Sequence, residues 1–118
     1  MAIKKSVKNV TLKAAPDEQV FLTITIGNAQ IGGSVVKFKG SSTIIGKGEI
    51  KNLKLGSGMD LSGRALKVVT NILDVNEQTN GIVVTYFFHA CTPQVTVFHD
   101  TVDNDGDIFS YQIDFNFK

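Results

Sequence analysis

Strict alternation of apolar and polar residues near the end of the chain constrains the fold most. Successive side chains of a β-strand point to opposite faces of the sheet, so this pattern predicts a half-buried strand. The apolar face would carry Phe109, Tyr111, Ile113, Phe115 and Phe117, and the polar face Ser110, Gln112, Asp114 and Asn116.

The same alternation recurs along the chain, and sustained helical periodicity is absent apart from a single possible turn at 59–62. Turn-forming residues separate the segments. The predicted strands lie near 5–13, 19–27, 30–39, 42–53, 64–74, 81–90, 94–100 and 108–117. We therefore predict one all-β domain over 1–118, an eight-stranded antiparallel β-sandwich of jelly-roll-like or C2-like architecture, in which the last four strands form a meander.

Charge is distributed unevenly although the net charge is only +1. Residues 1–67 hold eleven basic and four acidic residues, whereas residues 68–118 hold one basic and seven acidic residues. Either the halves interleave as neighbouring strands, or the basic and acidic surfaces meet between subunits. The second alternative predicts self-association.

The first residues favour a cytoplasmic protein. The stretch MAIKKSVKNVTLKAAPDEQ carries four lysines and lacks the apolar core of a signal peptide, unless a leader has been removed. No apolar run is long enough to predict a transmembrane segment. Near-neutral charge and the absence of tryptophan argue against nucleic acid as a partner.

Acidic and amide side chains gather in two predicted loops, 75–80 and 101–107. In a meander, alternate turns share one end of the sheet, so these loops would lie together. Calcium takes six to eight oxygen ligands in flexible geometry, which makes calcium the candidate cofactor. The candidate metal ligands are Asp74, Asn76, Asp100, Asp103, Asp105 and Asp107. The alternative interpretation is a polar turn, because Asp-Asn-Asp-Gly is favoured by local hydrogen bonds and by glycine at positive φ.

His89, Cys91 and His99 are the residues best suited to catalysis. If a hairpin turn lies at 90–93, the two histidines would be about 17 Å apart, too far to share a ligand or a proton. His89 with Cys91 would then be the only local pair, without an orienting partner or an oxyanion site. We therefore predict that the protein is not an enzyme and assign no catalytic residue.

The tripeptide Tyr86-Phe87-Phe88 cannot place all three rings on one face of a strand. Either both faces of that strand are covered, or an apolar patch remains for a partner. These observations predict a structural or protein-interaction module that self-associates. The alternative function is calcium-dependent binding of a lipid headgroup or glycan, with peripheral membrane contact, through the acidic loops.

Overall fold

The computed structural model describes residues 2–118 and consists almost entirely of β-strands. In this part of the chain there are ten strands and one helical turn, α1, at Gly58–Leu61. The strands are β1 (Ile3–Ala14), β2 (Gln19–Ile26), β3 (Ile31–Phe38), β4 (Ile44–Gly48), β5 (Leu53–Ser57), β6 (Ala65–Leu73), β7 (Gly81–Phe88), β8 (Cys91–Thr92), β9 (Val95–Thr101) and β10 (Ile108–Phe117).

Two sheets pack face to face. The larger has the order β4-β3-β6-β10-β1-β8, and the smaller has the order β5-β2-β7-β9. All paired strands are antiparallel except β1 and β10, which run parallel. The all-β prediction is confirmed, whereas the strand number and the purely antiparallel pairing differ from what the sequence pattern indicated.

The predicted strand 42–53 is two strands that belong to different sheets. β4 pairs with β3 in the larger sheet, and β5 pairs with β2 in the smaller one. Gly48 and Asn52, at the two ends of the crossing, have positive φ values of 87° and 50°. Ile50 is buried within this crossing, and its carbonyl accepts the N–H of Ile24 at 3.0 Å.

The predicted meander of the last four long strands is wrong. Only β7 and β9 pair as consecutive strands, since the chain passes between sheets from β6 to β7 and again from β9 to β10. An inward-facing apolar row has the same appearance in either sheet of a sandwich, so alternation alone does not assign a strand to a sheet.

The core is apolar and aromatic, with one chain of hydroxyl groups inside it. The ring of Phe115 lies 4.7 Å from that of Phe88 and 5.3 Å from that of Tyr86 between centroids. Tyr86 donates to Thr70 Oγ1 at 2.7 Å, and Ser34 Oγ lies 2.7 Å from the same atom. Burial raises the pKa of Tyr86 far above its usual value, so its hydroxyl remains protonated.

The basic and acidic halves of the chain interleave. β10, from the acidic half, lies between β6 and β1 in the larger sheet. Ion pairs join the halves directly, from Lys4 to Asp103 at 3.4 Å and from Lys39 to Asp114 at 3.2 Å. The charge division along the sequence therefore does not become a division into two separate ends of the molecule.

No helix within residues 2–118 has the length and apolar character needed to cross a membrane.

Candidate functional site

The two acidic loops meet at one end of the sandwich. Asp74 exchanges backbone hydrogen bonds with the opposite loop, donating to the carbonyl of Asp107 at 3.0 Å and accepting from the N–H of Gly106 at 2.9 Å. Val102 donates to the carbonyl of Asn80 at 3.0 Å. The predicted proximity is confirmed even though the meander is not, because β6, β7, β9 and β10 still alternate in direction between the two sheets.

Asp74 is the buried centre of this end, with 1% of its surface exposed. Its Oδ1 accepts from Gln30 Nε2 at 2.6 Å. With the Asn80 amide oriented so that its nitrogen faces the carboxylates, this nitrogen donates to Asp74 Oδ2 at 2.7 Å and to Asp105 Oδ1 at 2.8 Å. Both oxygens of the Asp74 carboxylate are thus occupied by side-chain amides.

Gln30 was not identified from the sequence as part of the site. Its Oε1 accepts the backbone N–H groups of Val75 and Asn76 at 2.8 and 2.9 Å, while its Nε2 reaches Asp74. One buried glutamine therefore ties the start of β3 to the loop after β6. No sequence signal distinguishes it, because its partners lie more than forty positions away.

Asp107 is held by main-chain donors. Its Oδ1 accepts the N–H of Ala2 at 2.9 Å, and its Oδ2 accepts the N–H of Asn104 at 3.0 Å. The hydrogen bond from Ala2 is the largest cause that lowers the pKa of Asp107, and the bond from Asn104 adds to it, while partial burial opposes them. The carboxylate ties Ala2 to the 101–107 loop.

The remaining candidate ligands have separate partners. Asp100 Oδ2 accepts the hydroxyl of Tyr111 at 2.6 Å, and Asp103 pairs with Lys4. Asn76 Nδ2 donates to the carbonyl of Asn28 at 2.7 Å. Burial and the Asp100 carboxylate together raise the pKa of Tyr111 above its usual value.

Across residues 2–118, no three or more His, Cys, Asp or Glu side chains converge in a way that could hold a metal ion. The two loops meet as expected, but their carboxylates face internal donors. As the chain is folded, the acidic end stabilises the loops through hydrogen bonds. Calcium binding there stays a prediction that requires a titration.

The histidines and the cysteine do not form a cluster. His89 is exposed beside Phe21, with ring centroids 6.2 Å apart, on the outer face of the smaller sheet. Cys91 is buried in β8 at the edge of the larger sheet. Burial raises the pKa of Cys91 to about 11, so its thiol is protonated and weakly nucleophilic at neutral pH.

Of the three consecutive aromatic residues, two are in the core and one is outside it. Tyr86 and Phe88 are fully buried, whereas Phe87 is half-buried on the outer face of the smaller sheet. There it borders a shallow hollow of about 300 Å³ with Phe21, Asn52 and His89. The outer face of this strand is therefore only partly covered.

A larger groove, of about 510 Å³, opens on the side of the sandwich between β2 and β3. Its walls are the segments Thr23–Ile26, Gln30–Ser34 and Gly48–Lys51. The charged residues of this lining are Glu49 and Lys51, and the other polar groups are hydroxyls, one amide and backbone atoms.

The outer face of the larger sheet carries two apolar rows. The strand register aligns one row across β1, β10, β6 and β3, with a second row four residues further along β1. The first row consists of Ile3, Ile108, Leu73 and Ile31, and the second contains Val7, Val69 and Val35 together with Gln112. We call these seven apolar residues the outer apolar patch.

Exposure is concentrated at three members of the outer apolar patch. Val7 is 72% exposed, Ile3 57% and Ile31 56%. The sequence contained a partial signal, because Ile3 and Val7 occupy the same face of β1, with Lys5 between them. The register that aligns four strands could not be obtained from the sequence.

Comparisons of the chain with protein-family models, with curated proteins and with solved structures find no match.

Proposed function

We propose that this protein is a non-enzymatic interaction module that self-associates through the outer apolar patch of its larger sheet. The observation that carries the proposal is the alignment of apolar side chains across four neighbouring strands on a face where Ile3, Val7 and Ile31 remain 56–72% exposed. Isolated exposed apolar residues are ordinary, but contiguous patches on a monomer mark sites of association.

The geometry of the patch suits a second copy of the same chain. Two sheets pack face to face at about 10 Å when both present apolar side chains. A two-fold axis through the patch places the row that contains Val7 opposite its counterpart, so each copy supplies the same surface. This self-complementarity requires no partner other than the chain itself.

The size of the face is adequate for a specific dimer. The four strands share eight positions in register, from Ile31 to Phe38 on β3. At about 4.8 Å between strands and roughly 3.3 Å per residue they span on the order of 500 Å² in projection. A standard interface buries about 800 Å² of accessible surface per partner, and accessible area exceeds projected area. Burial of exposed apolar surface contributes roughly 25 cal/mol per Å², which supplies the driving force.

The polar residues within the face are compatible with this packing. Between the two rows lie Lys5, Ser110, Asn71 and Gly33. Lys5 is exposed on β1, close to the side of the sheet, so its stem can cover apolar surface while its ammonium group extends to water at the rim. The charged row that follows, with Lys37, Lys67 and Asp114, would form the polar border.

Sedimentation velocity over a series from micromolar to millimolar protein tests the proposal. We expect a reversible monomer–dimer equilibrium in the unmodified chain. Ile31→Lys places a charge inside the patch, and we expect dimerisation to weaken at least about tenfold, because an unpaired ammonium group would be buried in each copy. Val95→Lys is the matched control, since Val95 is 47% exposed on the outer face of the smaller sheet.

A chain that remains monomeric up to millimolar concentration would refute self-association. Equal weakening by Ile31→Lys and Val95→Lys would refute the assignment of this face, because a charge on either sheet would then have the same effect. Retained secondary structure in both variants, measured by circular dichroism, ensures that the comparison concerns association rather than folding.

A further inference from the structure

β1 leaves most of one edge without a neighbouring strand. On one side it pairs with β10 along Ile3–Leu12, and on the other side β8 pairs with only Lys13 and Ala14. The segment Ile3–Leu12 therefore forms a long open edge of the larger sheet, which we call the β1 edge. Such an edge presents a row of unpaired N–H and C=O groups.

Backbone hydrogen bonds identify which groups point outward. The carbonyls of Ala2 and Leu12 accept from Ile108 and Lys118, so the even-numbered residues of β1 face β10. In a parallel pair, the N–H and C=O of one residue both point to the partner strand, and those of the next residue both point away from it. The outward groups therefore belong to Ile3, Lys5, Val7, Asn9 and Thr11.

The β1 edge is strongly basic. Lys4, Lys5, Lys8 and Lys13 lie on β1, and the first acidic residue of the chain is Asp17. Lys4 pairs with Asp103 at 3.4 Å on the surface, and within residues 2–118 the other three lysines form no ion pair. Lys8 lies over the ring of Phe98, with its Nζ 5.6 Å from the centroid.

We propose that the β1 edge binds an extended acidic peptide, which adds to the larger sheet as a further strand. The outward N–H and C=O groups supply the main-chain ladder of such a complex. Lys4 and Lys8 point to one face of the added strand and Lys5 to the other, so acidic side chains on either face meet a cation. This site uses the backbone edge of β1, whereas the outer apolar patch uses the side chains of Ile3 and Val7 on its outer face, and strand addition does not depend on self-association.

Charge selects this occupant over a second copy of β1. Two β1 strands side by side would bring lysines against lysines, which destabilises the pairing. An acidic strand turns the same cross-strand positions into attractive pairs. The lysines therefore prevent edge-to-edge self-pairing and favour a partner of opposite charge.

Three fluorescent peptides, each as long as the β1 edge, test the proposal by fluorescence anisotropy at protein concentrations where the chain is monomeric. In the first, threonine alternates with glutamate. In the second, lysine replaces glutamate. The third keeps the glutamates but has proline at alternate threonines, which removes backbone donors needed for a ladder. We expect saturable binding of the first peptide, at least about tenfold tighter than of the other two.

Asn9→Pro tests the site on the protein itself. Asn9 is exposed and its N–H points away from β10, so proline removes a donor from the β1 edge and leaves the β1–β10 ladder intact. We expect at least about tenfold weaker binding of the threonine–glutamate peptide. Val97→Pro is the matched control on β9. The N–H of Phe88 donates to the carbonyl of Gln94, so the even-numbered residues of β9 bond to β7 and the backbone groups of odd-numbered residues such as Val97 point away from it.

Several outcomes would overturn the proposal. Absence of binding by the threonine–glutamate peptide excludes the site. Equal binding of the proline-containing peptide shows charge attraction without strand addition. Equal losses of peptide affinity in Asn9→Pro and Val97→Pro would place the site elsewhere. Release of bound peptide when the protein concentration is raised would assign the edge to a second copy of the chain. The peptide series uses the unmodified protein and is decisive even if Asn9→Pro does not fold.

Discussion

The acidic end of the sandwich and the surface of the larger sheet differ in how fully their chemical groups are engaged. At the acidic end, Asp74, Asp107 and Gln30 have hydrogen-bond partners within the chain at 2.6–3.0 Å. On the outer face, Val7 is 72% exposed, and the β1 edge leaves backbone groups without a strand partner.

This comparison shows that a density of chemically versatile residues does not by itself locate function. The carboxylates attract attention in the sequence, but folding engages them as structural acceptors. The outer apolar patch and the β1 edge are less conspicuous in the sequence, yet their side chains are still exposed and their backbone groups still lack a strand partner, so both are available to a partner.

The largest effect on stability is expected from removal of the Asp74 carboxylate at the acidic end. Asp74→Ala removes the shortest acceptor of both Gln30 Nε2 and the Asn80 amide. Gln30 then keeps only the longer bonds to the carbonyls of Thr79 and Gly81, at 3.4 and 3.2 Å, and Asn80 keeps only Asp105. We expect the free energy of unfolding to fall by about 2–4 kcal/mol, measured by urea denaturation. Asp17→Ala, at an exposed turn, is the control and should change stability by less than about 0.5 kcal/mol. A loss as small as that of the control would show that the acidic end is not structural.

A smaller effect is expected from acid, through Asp107. Because the fold lowers the pKa of Asp107, its carboxylate contributes stability above the unfolded pKa of about 3.9 and loses that contribution as pH falls through the lower folded value. The urea midpoint of the unmodified chain, measured at successively lower pH from neutral, should therefore decrease once the pH is below about 4. Asp107→Asn should show a shallower decline over that window, and Asp17→Asn should retain the original one. Parallel declines in all three proteins would contradict this role of Asp107.

The smallest effect is expected from calcium. Asp74 and Asp107 already accept hydrogen bonds on both carboxylate oxygens, so a cation would have to displace those donors. We expect isothermal titration at millimolar calcium to give only heat of dilution, with no change in melting temperature. Saturable heat that Asp105→Ala abolishes would instead establish the calcium-dependent alternative and would reverse the contrast between the two regions.

Local patterns predicted the strands better than their arrangement. The alternation around Tyr111 and Phe115 correctly placed a long strand, because a half-buried strand requires that period whatever its neighbours are. The split between β4 and β5 was missed because positive φ at Asn52 depends on the crossing between sheets. Assignment of β6 and β7 to different sheets is likewise a long-range property that neither segment encodes alone.

The candidate site was predictable only in part for a similar reason. That the loops at 75–80 and 101–107 share one end follows from strands that alternate in direction, and this held without the meander. Which donors satisfy the carboxylates was not predictable, since Gln30 reaches Asp74 across forty-four positions and Ala2 reaches Asp107 across one hundred and five. The outer apolar patch requires the register of four strands, no two of which are consecutive in the chain.

The parallel ladder between β1 and β10 has a consequence for the order in which the chain folds during synthesis. β1 is synthesised before its long partner, residues 108–117, so no nascent chain that lacks these residues can contain this ladder. Until then, both edges of β1 are open along Ile3–Leu12. During that interval, repulsion between Lys4, Lys5 and Lys8 of neighbouring chains would oppose pairing of this strand with its own copies.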